Sequence, residues 1–246
     1  MPKINNEFYK DLGEKWYSSQ GEAVALLRIE KRTVNPWTIE QIERQFPEQT
    51  NLKVLDIGCG GGFLTLDLAD KNWQVTGLDV SETILDVGRL RDPHKRVNWV
   101  NGTAENLPLP DRYFDVVCMM DVLEHVHHPR LALKEVSRVL KPGGIFVFHT
   151  FNRTCRSWLF AAKGLDWFIK DSVKHVHDWR MFIKPRELKL WMREVGMETH
   201  KLEGIHPCIF SWAFFQLLVS RRVSENFSFR TGGGLGIGYL GVAKLI

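Results

Sequence analysis

A chain of 246 residues, 44% hydrophobic and 25% charged, is sized and composed as one soluble globular domain, residues 1–246, with no need for a second. Its net charge is +4, but the Lys and Arg are dispersed rather than blocked, which leaves a solvated surface and argues against a nucleic-acid partner. Four cysteines, Cys59, Cys118, Cys155 and Cys208, make no CxxC pair, so no disulfide framework is indicated and a reduced, cytoplasmic compartment is expected.

Residues 1–46 show no signal-like apolar core and read as helices, with Phe8, Leu12 and Trp16 at helical spacing. They precede the first strand, and a leading helical segment can fold over the ligand-binding edge of an α/β sheet as a lid. From Lys53 to Phe148, apolar runs of strand length alternate with helical patterns, the mark of βαβ units and a parallel sheet. Strands are expected over 53–57, 74–79, 97–101, 114–119 and 144–150. Leu131, Val136, Val139 and Leu140 form one apolar helix face, and Lys141-Pro142-Gly143-Gly144 is expected to end that helix. A further helix over 185–195 and strands over 198–204 and 238–245 follow.

Two stretches stand outside this alternation. Residues 152–184 read as an insertion over the substrate side. Within it, 157–170 carries Trp158, Ala161, Ala162, Leu165, Phe168 and Ile169 on one helical face, with Phe160 and Trp167 opposite beside Lys163 and Lys170. Such a helix suits a membrane interface, a cover over a greasy substrate or an ordinary core. The longest apolar run, 208–219, is far short of the roughly 20 residues that span a bilayer. It reads as a core helix or as a surface that touches lipid.

The densest chemistry lies at Val54–Phe63, VLDIGCGGGF, followed by Asp79 at the end of the next strand. Glycines at 58, 60, 61 and 62 let backbone press against a ligand, and an acid about 20 residues on suits the hydroxyls of a ribose. A dinucleotide site would need glycine where Phe63 stands, and a phosphate loop would need Gly-Lys-Ser/Thr. Asp56, just before the turn, would repel phosphate and favour a cation. S-adenosylmethionine, a sulfonium with an ammonium and no phosphate, fits. Here the chain resembles the class I S-adenosylmethionine-dependent methyltransferases, and GTAENLPLPDRYFDVVCMMDVLEHV (102–126) and VLKPGGIFVF (139–148) extend the likeness.

That resemblance implies an α/β, three-layer Rossmann-like fold with a seven-stranded, mostly parallel sheet closed by a C-terminal antiparallel hairpin. It implies cofactor contacts from Asp56, Gly58, Cys59, Gly60, Gly62, Asp79 and Val80. Thr103, Ala104 and Glu105 would form the adenine-side loop, and Met120 would cover the adenine face.

CMMDVLEHV (118–126), FHTFNRTCRSWLF (148–160), VHDWRMFIKPREL (176–188) and LEGIH (202–206) together look like the ubiquinone-biosynthesis O-methyltransferases, which methylate a catechol hydroxyl beside a polyprenyl tail. The likeness implies that Asp121, Glu124 and His125 hold a divalent metal. Their i, i+3, i+4 spacing would put them on one side of a helical turn. A phenol has a pKa of about 10 and is a poor nucleophile while protonated. Two carboxylates and an imidazole could hold Mg²⁺, Mn²⁺ or Zn²⁺ and lower it; without metal, His125 would take the proton directly. His127 and His128 are expected to face solvent or cap the next helix, His149 to reach the substrate, and Cys59 to serve only as a small side chain.

The chain also departs from that family. After LEGIH it runs through PCIFSWAFFQLLVSRRVSENFSFRTGGGLGIGYLG, longer and more aromatic, so the pocket wall is expected to differ. Asp121 stands where the family generally has Glu. The family's arginine for the cofactor carboxylate, just after Asn-Pro, is replaced by Trp37-Thr38, leaving Arg28 or Arg32 as stand-ins. Expected partners are a small hydrophobic aromatic acceptor and a peripheral contact with the cytoplasmic membrane face. Rival readings are methylation of another small hydrophobic acceptor, including at ring carbon, and a non-catalytic cofactor-binding protein.

Overall fold

The computed structural model describes residues 12–19, 23–163 and 177–246. Its strands are β1 (Lys53–Ile57), β2 (Gln74–Asp79), β3 (Val97–Asn101), β4 (Phe114–Met120), β5 (Leu140–Phe151), β6 (Met197–Pro207), β7 (Phe229–Thr231) and β8 (Gly238–Leu245). They form one sheet in the order β3-β2-β1-β4-β5-β8-β6-β7. The first five are parallel, and β5–β8, β8–β6 and β6–β7 are antiparallel pairs.

Helices α1 (Lys15–Ser18), α2 (Ala23–Gln45), α3 (Phe63–Ala69), α4 (Glu82–Leu90), α5 (Pro129–Val139), α6 (Pro185–Glu194) and α7 (Trp212–Ser220) accompany the sheet. Alternation along each strand builds the layers. Val54 and Val116 pack with Val34, Trp37, Leu64 and Leu68 on one face, while their neighbours Leu55 and Val117 pack with Leu133, Val136 and Leu188 on the other. Each such fully buried aliphatic side chain contributes about 1.5–3 kcal/mol. A parallel sheet covered on both faces leaves its carboxyl edge as the open crevice, and β1, β2 and β4 end there.

Four expectations need correction. The sheet has eight strands, because β6 runs on to Pro207 and pairs with Phe229–Thr231 from the aromatic stretch; β6 and β8 are neighbours, with α7 and β7 between them in sequence. Helix α5 ends at Val139, and Lys141–Gly144 belongs to a bulged start of β5, where Leu140 pairs with Phe114 before the register shifts. The proline needs no donor at such an irregularity. On α5 the buried face is Ala132, Leu133, Val136 and Val139, with Leu131 half exposed. In the insertion, Trp158–Lys163 is π-helical, which rotates its faces: Phe160 and Ala161 turn inward, whereas Trp158 and Leu159 are exposed. Phe8, Leu165, Trp167, Phe168, Ile169, Lys170 and His175 lie outside the described residues.

Candidate active site

The glycine turn is shaped by β1 and β2 together. Gly58 N and Cys59 N both donate to Leu78 O, at 2.7 and 3.0 Å. Gly58 and Gly60 have φ of 68° and 54°, in the left-handed region, and a Cβ on Gly60 would come within 2.5 Å of the Trp16 ring. Gly60 N donates to Asp79 Oδ2 at 3.0 Å, and Ser81 N donates to Asp79 Oδ1 at 2.9 Å. The acid is thus fixed against the turn. Burial raises its pKa, partly offset by these amide donors. Asn101, at the end of β3, donates from Nδ2 to Asp79 O and Val80 O, a brace that motif reading missed.

Asp56 is buried beneath the turn and accepts from Thr65 Oγ1 at 2.6 Å. Burial pushes its pKa up to about 6, with Thr65 and Lys31 opposing. Cys59 is buried too, and burial drives its thiol well above the usual range, so it is no nucleophile. Val80 is exposed, Ala104 and Met120 are buried, and Glu105 accepts from His128 N at 2.9 Å. Every one of the cofactor candidates except Gly62 lines a single cavity of about 510 Å³.

Beside the glycine turn, where a Cβ on Gly58 would meet the Val122 side chain, residues 121–125 form turns rather than helix, because Asp121 takes a left-handed φ of 61°. The expected trio is therefore divided. Asp121 Oδ2 accepts from Lys31 Nζ at 2.5 Å, and Oδ1 lies 2.6 Å from His149 Nδ1. Burial alone would raise the Asp121 pKa, but the charges and hydrogen bonds of His149 and Lys31 hold it well below the carboxylate range. Burial likewise opposes a charged His149, yet Asp121 and Glu30 push that imidazole up to about 8. Glu30, Asp121 and His149 thus form one group of close ligand atoms.

Glu124 and His125 form a second group with His177 from the end of the insertion, their ligand atoms within 4.8 Å of one another. The two imidazoles have ring centroids 5.0 Å apart. Burial, then the charge of Asp121, raises Glu124 to about 8; burial, then His177, lowers His125 to about 3. Glu124 Oε2 accepts from Thr150 Oγ1 at 2.7 Å, while Oε1 is buried with no hydrogen-bond partner among the described residues. One orphaned carboxylate oxygen beside two imidazoles is a donor set that suits a divalent cation. His127 and His128 are exposed, and His128 is the N-cap residue of α5.

The same cavity carries an apolar wall of Phe151, Phe160, Phe214, Leu217, Phe227 and Phe229, with Phe151 against His177. Arg28 and Arg32 are absent from the lining. Both bind Glu225, Arg28 Nη2 at 3.1 Å to Oε1 and Arg32 Nη1 at 2.8 Å to its carbonyl oxygen, so neither serves as the stand-in expected for the cofactor carboxylate.

This sheet order, with a glycine turn after β1 and an acid ending β2, defines an S-adenosylmethionine-dependent methyltransferase. A family profile described as a methyltransferase domain matches residues 55–148. The chain belongs to the family of the ubiquinone biosynthesis O-methyltransferases: it is 34% identical to the one from Alkalilimnicola ehrlichii over 78% of this chain and 76% of that protein. It is 33% identical to the one from Nitrosococcus oceani over 80% and 83%. Among solved structures, a methyltransferase from Thermotoga maritima described as a possible histamine N-methyltransferase aligns with a TM-score of 0.61 and 22% identity over 97% of this chain and 98% of its own. One from Aquifex aeolicus aligns with a TM-score of 0.59 and 16% identity over 99% and 100%. These two show the fold alone.

Proposed function

We propose that the chain methylates a phenolic oxygen of a catechol-like quinol precursor carrying a polyprenyl tail, as the names of its relatives suggest. The observation that carries this reading is the Glu124–His125–His177 group, whose two imidazoles line the same cavity as the cofactor candidates and the aromatic walls. S-adenosylmethionine supplies a methyl group on a positively charged sulfur, which the acceptor oxygen takes up while losing its proton. Asp79 holds the ribose hydroxyls, Thr103, Ala104 and Glu105 border the adenine, Met120 covers it, and the amides of Gly58–Gly62 border the methionine portion. Asp56 places negative charge near the cationic end.

His125 is kept neutral by burial, so its imidazole can receive the acceptor proton or bind a cation. Glu124, His125 and His177 would hold a divalent metal, which would supply Lewis acidity that lowers the pKa of the acceptor phenol. Asp121 shapes this edge through Lys31 and His149. The remaining contribution is alignment: aromatic walls fix the ring so that oxygen, methyl carbon and sulfur can lie in line. In this reading the described parts of the leading segment, 12–19 and 23–46, form a lid, and those of the insertion, 152–163 and 177–184, cover the acceptor side of a single domain.

Among the described residues, no helix is long and apolar enough to cross a membrane. A peripheral contact with the cytoplasmic membrane face is supported by α7, whose Phe214 and Leu217 line the cavity while Trp212, Phe215 and Val219 are exposed, with Arg221 and Arg222 following. An apolar face ending in basic residues suits an anionic bilayer, from which a greasy acceptor would enter. The test is incubation with S-adenosylmethionine and a prenyl-substituted catechol, with Mg²⁺ or EDTA, locating the added methyl group. Methylation at carbon would refute the O-methyl assignment.

A further inference from the structure

We infer that Lys31 is the anchor for the carboxylate of the cofactor's methionine portion, a role it takes by leaving Asp121. The inference rests on the cofactor reading above and adds a residue from α2 that lies outside every motif discussed so far.

Three observations lead to it. Among the described lining residues, five carboxylates, Glu30, Asp56, Asp79, Glu105 and Asp121, face the cavity against one Lys or Arg, Lys31. The two arginines nearest in sequence are committed to Glu225. And the Lys31–Asp121 ion pair is almost wholly buried, at 9% and 10% side-chain exposure.

The methionine portion is a zwitterion, and a cavity this acidic receives its ammonium and sulfonium without difficulty. Its carboxylate is different: desolvated in a cavity lined by acids, it needs a cation, and water cannot supply one. Lys31 lies beside Asp121 and within electrostatic reach of Asp56, which places it at the end of the cavity nearest the glycine turn's acid. The resting pair is itself a matched plus and minus. A zwitterion entering between its members lets Lys31 turn to the carboxylate while Asp121 turns to the ammonium, so neither buried charge loses a partner. A lysine suits such an exchange, being a point charge on a flexible stem.

The experiment compares binding of S-adenosylhomocysteine with that of its decarboxylated counterpart, by calorimetry, in the native chain, in Lys31→Met and in Lys31→Met/Asp121→Asn. The double variant removes both charges of the pair, so that Asp121 is not left buried with His149 as its sole ionic partner. The native chain should prefer the carboxylate-bearing ligand by on the order of 10- to 100-fold, the worth of one charged hydrogen-bonded contact. Both variants should lose that preference to within about twofold; Lys31→Met should bind the decarboxylated ligand much as before, whereas the double variant, which also lacks the Asp121 contact to the ammonium, should bind both ligands more weakly. A preference that persists in the variants, or equal loss for both ligands, would overturn the assignment and leave Lys31 a structural partner of Asp121. A native chain that binds neither ligand would instead remove the cofactor reading, and the inference with it.

Discussion

Gly60 and Asp79 are joined by a hydrogen bond from the glycine's amide to the carboxylate's Oδ2, 3.0 Å long. The turn after the first strand therefore positions the acid that ends the second, the residue proposed to hold the ribose. Asp79→Ala should weaken S-adenosylhomocysteine binding on the order of 10- to 100-fold, by loss of charge-assisted acceptors to the ribose. Asp79→Asn, whose side-chain carbonyl still accepts one bond, should lose less. Calorimetry on the two variants checks the order.

Asp56 sets a pH dependence. Its pKa is raised from 3.8 to about 6, and a cationic ligand favours the ionised form. Cofactor binding must then expel a proton below pH 6, so affinity should fall by up to about tenfold per unit there and level off above about 7. For stability the sign is opposite: the raised pKa contributes stability that is fully present below 3.8 and lost as pH rises through about 6. Asp56→Asn should therefore melt no lower than the native chain at pH 8 yet bind the cofactor more weakly. Titrations in buffers of different ionisation enthalpy at pH 5.5 would reveal the released proton; its absence would show that Asp56 is ionised throughout.

Glu124 and His125 offer a separation of roles. His125→Ala should lower kcat by about 10²–10⁴-fold, the usual range for losing a positioned general base. Glu124→Gln should weaken metal activation while leaving cofactor binding intact. If turnover proceeds undiminished in EDTA and in His125→Ala, both the metal and the base assignments fall.

The outer face of α7 should control lipid contact without touching the chemistry. Trp212→Glu with Phe215→Glu should abolish co-sedimentation with anionic vesicles and spare turnover of a short, soluble catechol. Retained sedimentation would move the contact elsewhere on the molecule.

What could be read from the chain beforehand was what is local in it. The glycine turn, Asp79 and the first five strands follow from periodicity and from backbone needs within a few residues. Lys31 and Asp121 pair across 90 positions, and nothing in a helical lid pattern told which of its faces meets the cavity. The Asp121–Glu124–His125 spacing suggested a helix, but an aspartate in a left-handed conformation split the trio and brought in His177. Strand β7, Phe229–Thr231, is too short to show alternation, and its pairing with Ile205, His206 and Pro207 arises only in three dimensions.

Helix α2 and the aromatic stretch are also tied together, through Arg28 and Arg32 to Glu225 and from Thr33 Oγ1 to Phe229 O at 3.2 Å. The stretch that supplies much of the cavity's aromatic wall is thus bolted to the helix that carries Lys31. Transplanting 208–231 alone into a relative, in the hope of moving its acceptor preference, would leave those bolts without sockets. The exchangeable unit is the stretch together with α2, so a change in the proposed acceptor wall carries with it the lysine proposed to anchor the donor.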